Sequence, residues 1–297
     1  MKFDELKNRI RIQLKCLYSI VYLKLKKLHI ADSQKTIQYI LNTHCSVSRF
    51  GDGEFNLIQG RGNGFQPYHP QLSSRLAEIL KSDSTSKHIV CIPFSLINTD
   101  RLKSYPRDFW RFYAVRHYFF LRKHLSFRHC YFDSLVTRFY IDYKDKSESA
   151  NQITELRKIW SGRNLVIVEG EQTRSGVGND LFSQVTSIKR VLCPSENAFD
   201  CYDDILHAVE HHSDKKDLIL LSLGMTATVL AFDLSQLGYQ AIDLGHLDVE
   251  YEWFRQNAIE KVSLVGKYVN EVAHGNQVAP CDDVPYQQQI VQIVRKL

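Results

Sequence analysis

The chain has no Cys-x-x-Cys pair, although its 297 residues include seven cysteines. Cys193 and Cys201 stand closest, eight apart. An odd count at such spacing fits neither a disulfide framework nor a zinc ribbon, and it suits the reducing cytosol. No apolar run approaches the roughly eighteen residues that would span a bilayer. The N-terminal stretch also lacks the unbroken apolar core and small-residue cleavage site of a signal peptide, so a cytoplasmic location is expected. Neither Gly-x-Gly-x-x-Gly nor Gly-Lys-Ser/Thr occurs, which counts against a dinucleotide fingerprint and a Walker-type phosphoryl-transfer site. Internal repeats and low-complexity linkers are missing too.

What is present is an ordinary globular composition, 44% hydrophobic and 24% charged, with a formal net charge of +5. The charge is unevenly placed. Residues 1–30 hold Lys2, Lys7, Arg9, Arg11, Lys15, Lys24, Lys26 and Lys27 against Asp4 and Glu5, a net of +6, so the remaining chain is close to neutral. That excludes a uniformly basic nucleic-acid binder. Within 3–29, Leu6, Ile10, Leu14, Leu17, Val21, Leu25 and Leu28 recur at spacings of four and three, which predicts one amphipathic helix. Its apolar stripe packs on its own domain or a second subunit, as in a homodimer, or it lies on an anionic membrane surface. The expected organisation is a basic N-terminal helix over 1–32 and a single domain over 33–297.

Past Asp32 or Ser33 as a helix cap, the pattern predicts a helix at 34–43, a strand at 45–50, a helix near 71–81 and a strand at 88–94. Segment 100–130 is basic and aromatic together, with Arg107, Trp110, Arg111, Tyr113, Arg116, Tyr118 and Phe119. It reads as helix wrapping the domain, or as a contact surface for a phosphorylated or membrane-borne acceptor. From 151 onward strands at 164–169, 188–193, 217–223 and 239–244 alternate with helices at 177–186, 197–211 and 226–237. Apolar strands alternating with helices imply an α/β fold, a mostly parallel sheet with helices on both faces. Ligands of such sheets bind beyond the carboxyl ends of the strands.

The clusters with chemical content fall at those ends. Asp248 and Glu250 follow the strand at 239–244, and in an extended segment they would point to one side and share Mg²⁺ or Mn²⁺. Asp52 and Glu54 repeat that spacing after Arg49 and Gly51. Arg49 is suited to a phosphate, and either carboxylate to acid–base or metal work. The stretch Thr173-Arg174-Ser175-Gly176-Val177-Gly178-Asn179-Asp180 joins a strand to a helix, where backbone N–H groups and a cation can receive an anion. Ser195, Asn197 and Thr226 stand at further strand-to-helix turns, as helix caps or nucleotide contacts. His207 and His211 share a helical face beside Lys215 and Lys216, which reads as surface.

These clusters, in this order, resemble the GT-D glycosyltransferases, a family first catalogued as a domain of unknown function. The stretches that match are Ser48–Glu54, Tyr140–Asp145, Thr173–Asp180, Glu196–Phe199 and Leu247–Trp253. Together they cover about 40 to 265; Met225 departs from them, standing where relatives are expected to have proline. The resemblance implies a Rossmann-like nucleotide-binding fold, a UDP-sugar donor and Mn²⁺ held through a D-x-E motif. On it, Asp248 and Glu250 are assigned to the metal, and Asp52 and Glu54 to catalysis. Arg49, Gly51, Thr173, Arg174, Gly176, Gly178, Asn179, Ser195, Asn197 and Thr226 are assigned to the nucleotide. The expected activity is transfer of a hexose such as glucose to a glycan, glycoprotein or lipid-linked acceptor in cell-surface polysaccharide or glycoprotein assembly. The alternatives are another nucleotide-sugar-processing enzyme and a non-catalytic, membrane-associated nucleotide-binding module.

Overall fold

A computed structural model describes residues 17–275 and 277–296. It opens with helix α1, whose described part is 17–25, then β1 (His29–Ile30), α2 (Ser33–Thr43), β2 (Ser46–Arg49), α3 (Asp52–Ile58), α4 (Pro70–Lys81) and β3 (His88–Ile92). Next come α5 (Ser104–Arg116), α6 (Tyr118–His124), β4 (Cys130–Asp133), α7 (Ser149–Arg157), β5 (Asn164–Gly170) and β6 (Ser187–Cys193). The chain finishes with α8 (Tyr202–His212), β7 (Leu218–Ser222), α9 (Met225–Gln236), β8 (Gln240–Asp243), α10 (Leu247–Arg255), α11 (Val284–Gln289) and β9 (Ile290–Ile293).

The nine strands of the described residues join one sheet in the order β1-β4-β3-β2-β8-β7-β5-β6-β9, and every pairing among them is parallel. Strand alternation explains why both faces need cover. Leu165 and Ile167 of β5, and Leu218 and Leu220 of β7, enter one core cluster. Their neighbours Val166, Val168, Ile219 and Leu221 enter another on the opposite face. In β3 the same split sends Ile89 and Cys91 one way and Val90 and Ile92 the other. A strand buried on both sides reads as a continuous apolar run, which is the pattern that marked these segments.

Helix ends follow local chemistry. The Asp32 carboxylate accepts from the Lys35 N–H at 2.9 Å and starts α2, and Pro70 opens α4 where its missing N–H costs nothing. In α1, Val21 and Leu25 are buried, and Leu28 just beyond it joins the same core cluster, whereas Leu17, Ile20 and Leu23 are exposed. The packed part of the predicted stripe therefore sits on its own domain. The part over residues 3–16 lies outside the described residues. No described helix is long and apolar enough to cross a membrane.

Three sequence expectations change. Residues 177–186 form turns rather than a helix. The helix expected at 197–211 is a short 3-10 turn, Ala198–Cys201, followed by α8. The doublet Asp248/Glu250, expected on an extended segment, opens helix α10, and Asp52/Glu54 likewise open helix α3.

The strand order sets the binding side. From β2 the chain moves outward through β3 to β4, whereas β8 is reached from β7 on the other side. Where β2 and β8 adjoin, the segments leaving their carboxyl ends diverge and leave a crevice.

Candidate functional site

That crevice is a cleft of about 450 Å³, lined among others by Arg49, Asp52, Glu54, Ser134, Arg138, Asp142, Asp243, Asp248 and Glu271. Arg49, the last residue of β2, donates from Nε to the Ser134 carbonyl at 2.8 Å, and its Nη1 lies 3.7 Å from Asp243. Asp243 ends the adjacent strand β8 and accepts from the Gly245 N–H at 3.0 Å and from Thr228 at 3.2 Å. Gly245 is required there. Its φ is +53°, and a Cβ would come within 2.3 Å of Arg49 Nη1.

Helix α3 begins in the cleft. Gly51 caps it, and the Glu54 carboxylate turns back to accept the Gly51 N–H at 2.7 Å, as a capping box does. Burial pushes the Glu54 carboxyl up to about 7, with Asp243 and Asp52 adding to the rise. Asp52 is exposed to the cleft, and no other described side chain bonds or pairs with it. Its pKa is raised by desolvation, opposed by backbone N–H groups of its own turn and by Arg138.

A second set of charges is knotted around Glu271. Arg138 grips it through two bonds of 2.6 and 3.0 Å, Lys261 reaches it at 2.5 Å, and His246 Nδ1 lies 3.2 Å away. Burial raises the Glu271 carboxyl, but Arg138 and His246 outweigh it and hold the group well below the usual carboxylate range. Behind this knot Glu250, fully buried, accepts the N–H groups of Tyr140 and Ile141 at 3.1 Å each and lies 3.8 Å from Arg138 Nε. Glu250 is pushed up to about 7 by burial, against the pull of Arg138.

Asp248 is also committed. It pairs with the buried Lys267 at 2.5 Å, and accepts from the Gly176 N–H at 2.9 Å and Asn179 at 2.8 Å. On a helix, residues i and i+2 diverge by about 200°. Asp248 and Glu250 therefore face different partners and do not converge on one ion, which corrects the expectation of a shared extended face. Among the described residues no three His, Cys, Asp or Glu side chains converge as metal ligands.

The loop at 173–180 differs from its expected role. Thr173 lines the cleft. The Gly176 N–H is spent on Asp248 and the Ser175 N–H on Glu169, so neither is free for a phosphate. Arg174, 8% exposed, donates to the carbonyls of Gly266 and Ala279 at 2.9 and 2.7 Å and so braces the chain at those two residues. Gly176, Gly178 and Asn179 line a separate hollow of about 260 Å³ beside Arg190 and Tyr286. Ser195 Oγ accepts the Gln172 N–H, and Asn197 bonds Gln66 and Phe65, all outside the cleft lining except Phe65. Thr226 is fully buried, its Oγ1 has no partner among the described residues, and Gly224 takes the cap position of α9.

Of the sequence-assigned residues, the fold thus gathers Arg49, Gly51, Asp52, Glu54, Thr173 and Asp248 at the cleft. Arg138, Asp243, His246, Lys261 and Glu271 were missed. Asp142 lay inside a recognised stretch without a role, and Glu271 stands in a segment with no periodic or motif signal. Tyr105, Phe109 and Trp110 of the basic-aromatic segment line the cleft.

Comparison with known proteins places this geometry. The chain is 39% identical over 268 residues to the probable glycosyl transferase Gly of Streptococcus gordonii, covering 90% of this chain and 39% of that protein. It is 38% identical over 257 residues to the glycosyltransferase GlyD of Streptococcus pneumoniae serotype 4, covering 86% and 31%. The chain thus spans between about a third and two fifths of the length of these curated relatives. A solved structure described as the domain of unknown function 1792 with a distinct glycosyltransferase fold superposes with a TM-score of 0.88 at 40% identity, covering 93% of this chain and 99% of that one. A glycosyltransferase of the same domain from Streptococcus sanguinis gives 0.86 at 38%, covering 90% and 100%. The profile of the glycosyltransferase GT-D fold matches residues 47–272, the span that holds every cleft residue named above, and the chain belongs to the GT-D glycosyltransferase family.

Proposed function

We propose that this chain transfers a sugar, a hexose such as glucose, from a UDP-sugar to a hydroxyl of a glycan or glycoprotein acceptor in cell-surface polysaccharide or glycoprotein assembly. A divalent cation, Mn²⁺ or Mg²⁺, accompanies the donor. The observation that carries this reading is the charge of the cleft. Six carboxylates line it (Asp52, Glu54, Asp142, Asp243, Asp248 and Glu271) against three basic side chains, Arg49, Arg138 and Lys261. Arg138 and Lys261 are already bound to Glu271. A bare diphosphate would meet net repulsion there, whereas one carrying a divalent ion would not.

The Asp248/Glu250 pair does not fit a shared ion. Asp52 does fit: it is exposed to the cleft with no side-chain partner among the described residues, and Mg²⁺-type sites use one or two carboxylates with phosphate oxygens completing the shell. Such an ion, when bound, neutralises the diphosphate as it departs. Arg49 supplies fixed positive charge, its Nη2 free of partners among the described residues. Glu54 holds the α3 N-terminus in register, and Glu250 positions Arg138. Aromatic side chains flank the cleft: Phe65 and Tyr268, and Tyr105, Phe109 and Trp110. They offer stacking surfaces for a base and for sugar rings. Lys24, Lys26 and Lys27, together with the exposed Ile20 and Leu23 of α1, support contact with an anionic membrane surface.

Thermal unfolding with a panel of nucleoside diphosphates, with and without Mn²⁺, tests this. UDP with Mn²⁺ is expected to stabilise the protein by about 2.7 kcal/mol at a hundredfold excess over Kd. Equal stabilisation without the metal, or preference for another nucleotide, would refute the reading.

A further inference from the structure

A second cavity, of about 320 Å³, opens on the same edge of the sheet, beyond β3 and β4. Leu135 lines both this cavity and the cleft, so the short 3-10 turn Ser134–Thr137 stands between them. Its volume lies in the range of small-molecule sites, about 300–1,000 Å³.

The lining has a definite chemistry. Five carboxamides contribute to it: Gln34, Gln38, Asn98, Asn151 and Gln152. Asp133 is buried at the base and fully used, accepting from Ser33 Oγ at 2.6 Å and from the N–H groups of Phe94 and Leu135 at 3.1 and 2.9 Å. Ser95 differs. It is 4% exposed, it lines the cavity, and its Oγ has no hydrogen-bond partner among the described residues. A buried hydroxyl left unpaired is costly unless a ligand or water completes it.

Charge narrows the choice of ligand. Four carboxylates, Asp32, Asp133, Glu148 and Glu155, face the cavity with Arg101 as the single cation among its lining residues. Arg101 is itself placed over the Tyr143 ring at 5.7 Å. A phosphate or an anionic headgroup would be repelled. Carboxamides both donate and accept, as sugar hydroxyls do, and carboxylates accept from hydroxyl pairs. Phe94 adds an aromatic face in the lining.

We propose that this cavity is a saccharide subsite that takes a neutral sugar unit of the acceptor, with the neighbouring unit reaching past Leu135 into the cleft. The assignment of that sugar to the acceptor rests on the transferase reading above; the binding of a saccharide does not.

Saturation-transfer NMR on the full chain, with UDP and Mn²⁺ filling the donor site, provides the test. Lactose, cellobiose and maltose at millimolar concentration are the probes. Gln34 and Asn151 are exposed, so the Gln34→Ala/Asn151→Ala variant should fold normally. At least one disaccharide is expected to bind with UDP present and to bind about tenfold more weakly in the double variant, while the UDP-induced thermal shift stays unchanged. No disaccharide signal in the parent protein, displacement of the signal by UDP, or unchanged affinity in the double variant would overturn the inference. Saccharide binding that weakens in the variant, in a protein showing no UDP response, would keep the subsite and remove the donor reading instead.

Discussion

Two copies of one short pattern, Asp52-Gly53-Glu54 and Asp248-Val249-Glu250, sit at equivalent stations, each in the first turn of a helix that follows a central strand. Their glutamates behave alike. Glu54 accepts the Gly51 N–H, Glu250 accepts those of Tyr140 and Ile141, and burial pushes both carboxyls up to about 7. Their aspartates do not. Asp248 is 5% exposed and locked to Lys267, the Gly176 N–H and Asn179, whereas Asp52 faces the open cleft. The same residue pair serves as a weld in one place and as a group open to the cleft in the other. What decides is the chain packed opposite: the 173–180 loop and Lys267 close over α10, and no described side chain pairs with Asp52 at the start of α3.

The largest expected effect separates the two aspartates. Asp248→Asn takes from the buried Lys267 the nearer of its two counter-charges, leaving Glu252 at 3.6 Å, and should lower stability by about 3 kcal/mol in urea unfolding. Asp52→Asn should leave unfolding within about 0.5 kcal/mol, because its side chain is exposed and unpaired. It should nevertheless cut turnover at least about a hundredfold and remove the Mn²⁺ dependence of UDP binding. A stable Asp248→Asn protein, or an active Asp52→Asn one, would erase the contrast.

A smaller effect tests the weld from its other side. Arg174→Ala loses two hydrogen bonds to backbone carbonyls and should cost about 2–3 kcal/mol of stability. Its affinity for UDP, measured by calorimetry, should match the parent. A selective loss of UDP over uridine would return Arg174 to the diphosphate.

A further test concerns the behaviour the glutamates share. Each has a folded pKa raised from 4.5 to about 7, so the folded protein keeps protons that the unfolded chain releases. Their contribution to stability is present below about 4.5 and is lost as the pH rises through about 7. Glu271 acts in the opposite sense: its depressed pKa gives stability that is present above the usual carboxylate range and lost toward acid. Urea midpoints measured across pH 4.5 to 7 should therefore fall in the parent and fall less steeply in a Glu54→Gln/Glu250→Gln variant, whose amide oxygens still accept the backbone N–H groups. An unchanged slope would mean that neither glutamate titrates as its burial requires.

Local pattern was enough for much of the fold. The strands read at 164–169 and 217–223, the glycines after them and the helix read at 34–43 fall on β5, β7 and α2, because period and capping chemistry are properties of neighbouring residues. The strand Cys130–Asp133 was not legible: it is four residues long at the end of a basic-aromatic stretch, and only pairing with β3 and β1 defines it. The site divides the same way. Arg49, Gly51 and Asp52 were marked by a polar cluster breaking an apolar strand. Arg138 and Glu271, 133 residues apart, carried no joint signal until the fold made them a bonded pair.

By itself, then, the sequence determined an α/β fold with a parallel sheet, a near-neutral body behind a basic arm, and carboxylates and glycines at the carboxyl ends of strands. Periodicity and composition act over a few residues and survive without knowledge of what lies across the sheet. Only the tertiary structure decided which acidic group stays unpaired and open to the cleft. An extended segment and a helix turn the same i, i+2 pair in different directions, and whether a carboxylate is free depends on a lysine nineteen residues further along the chain.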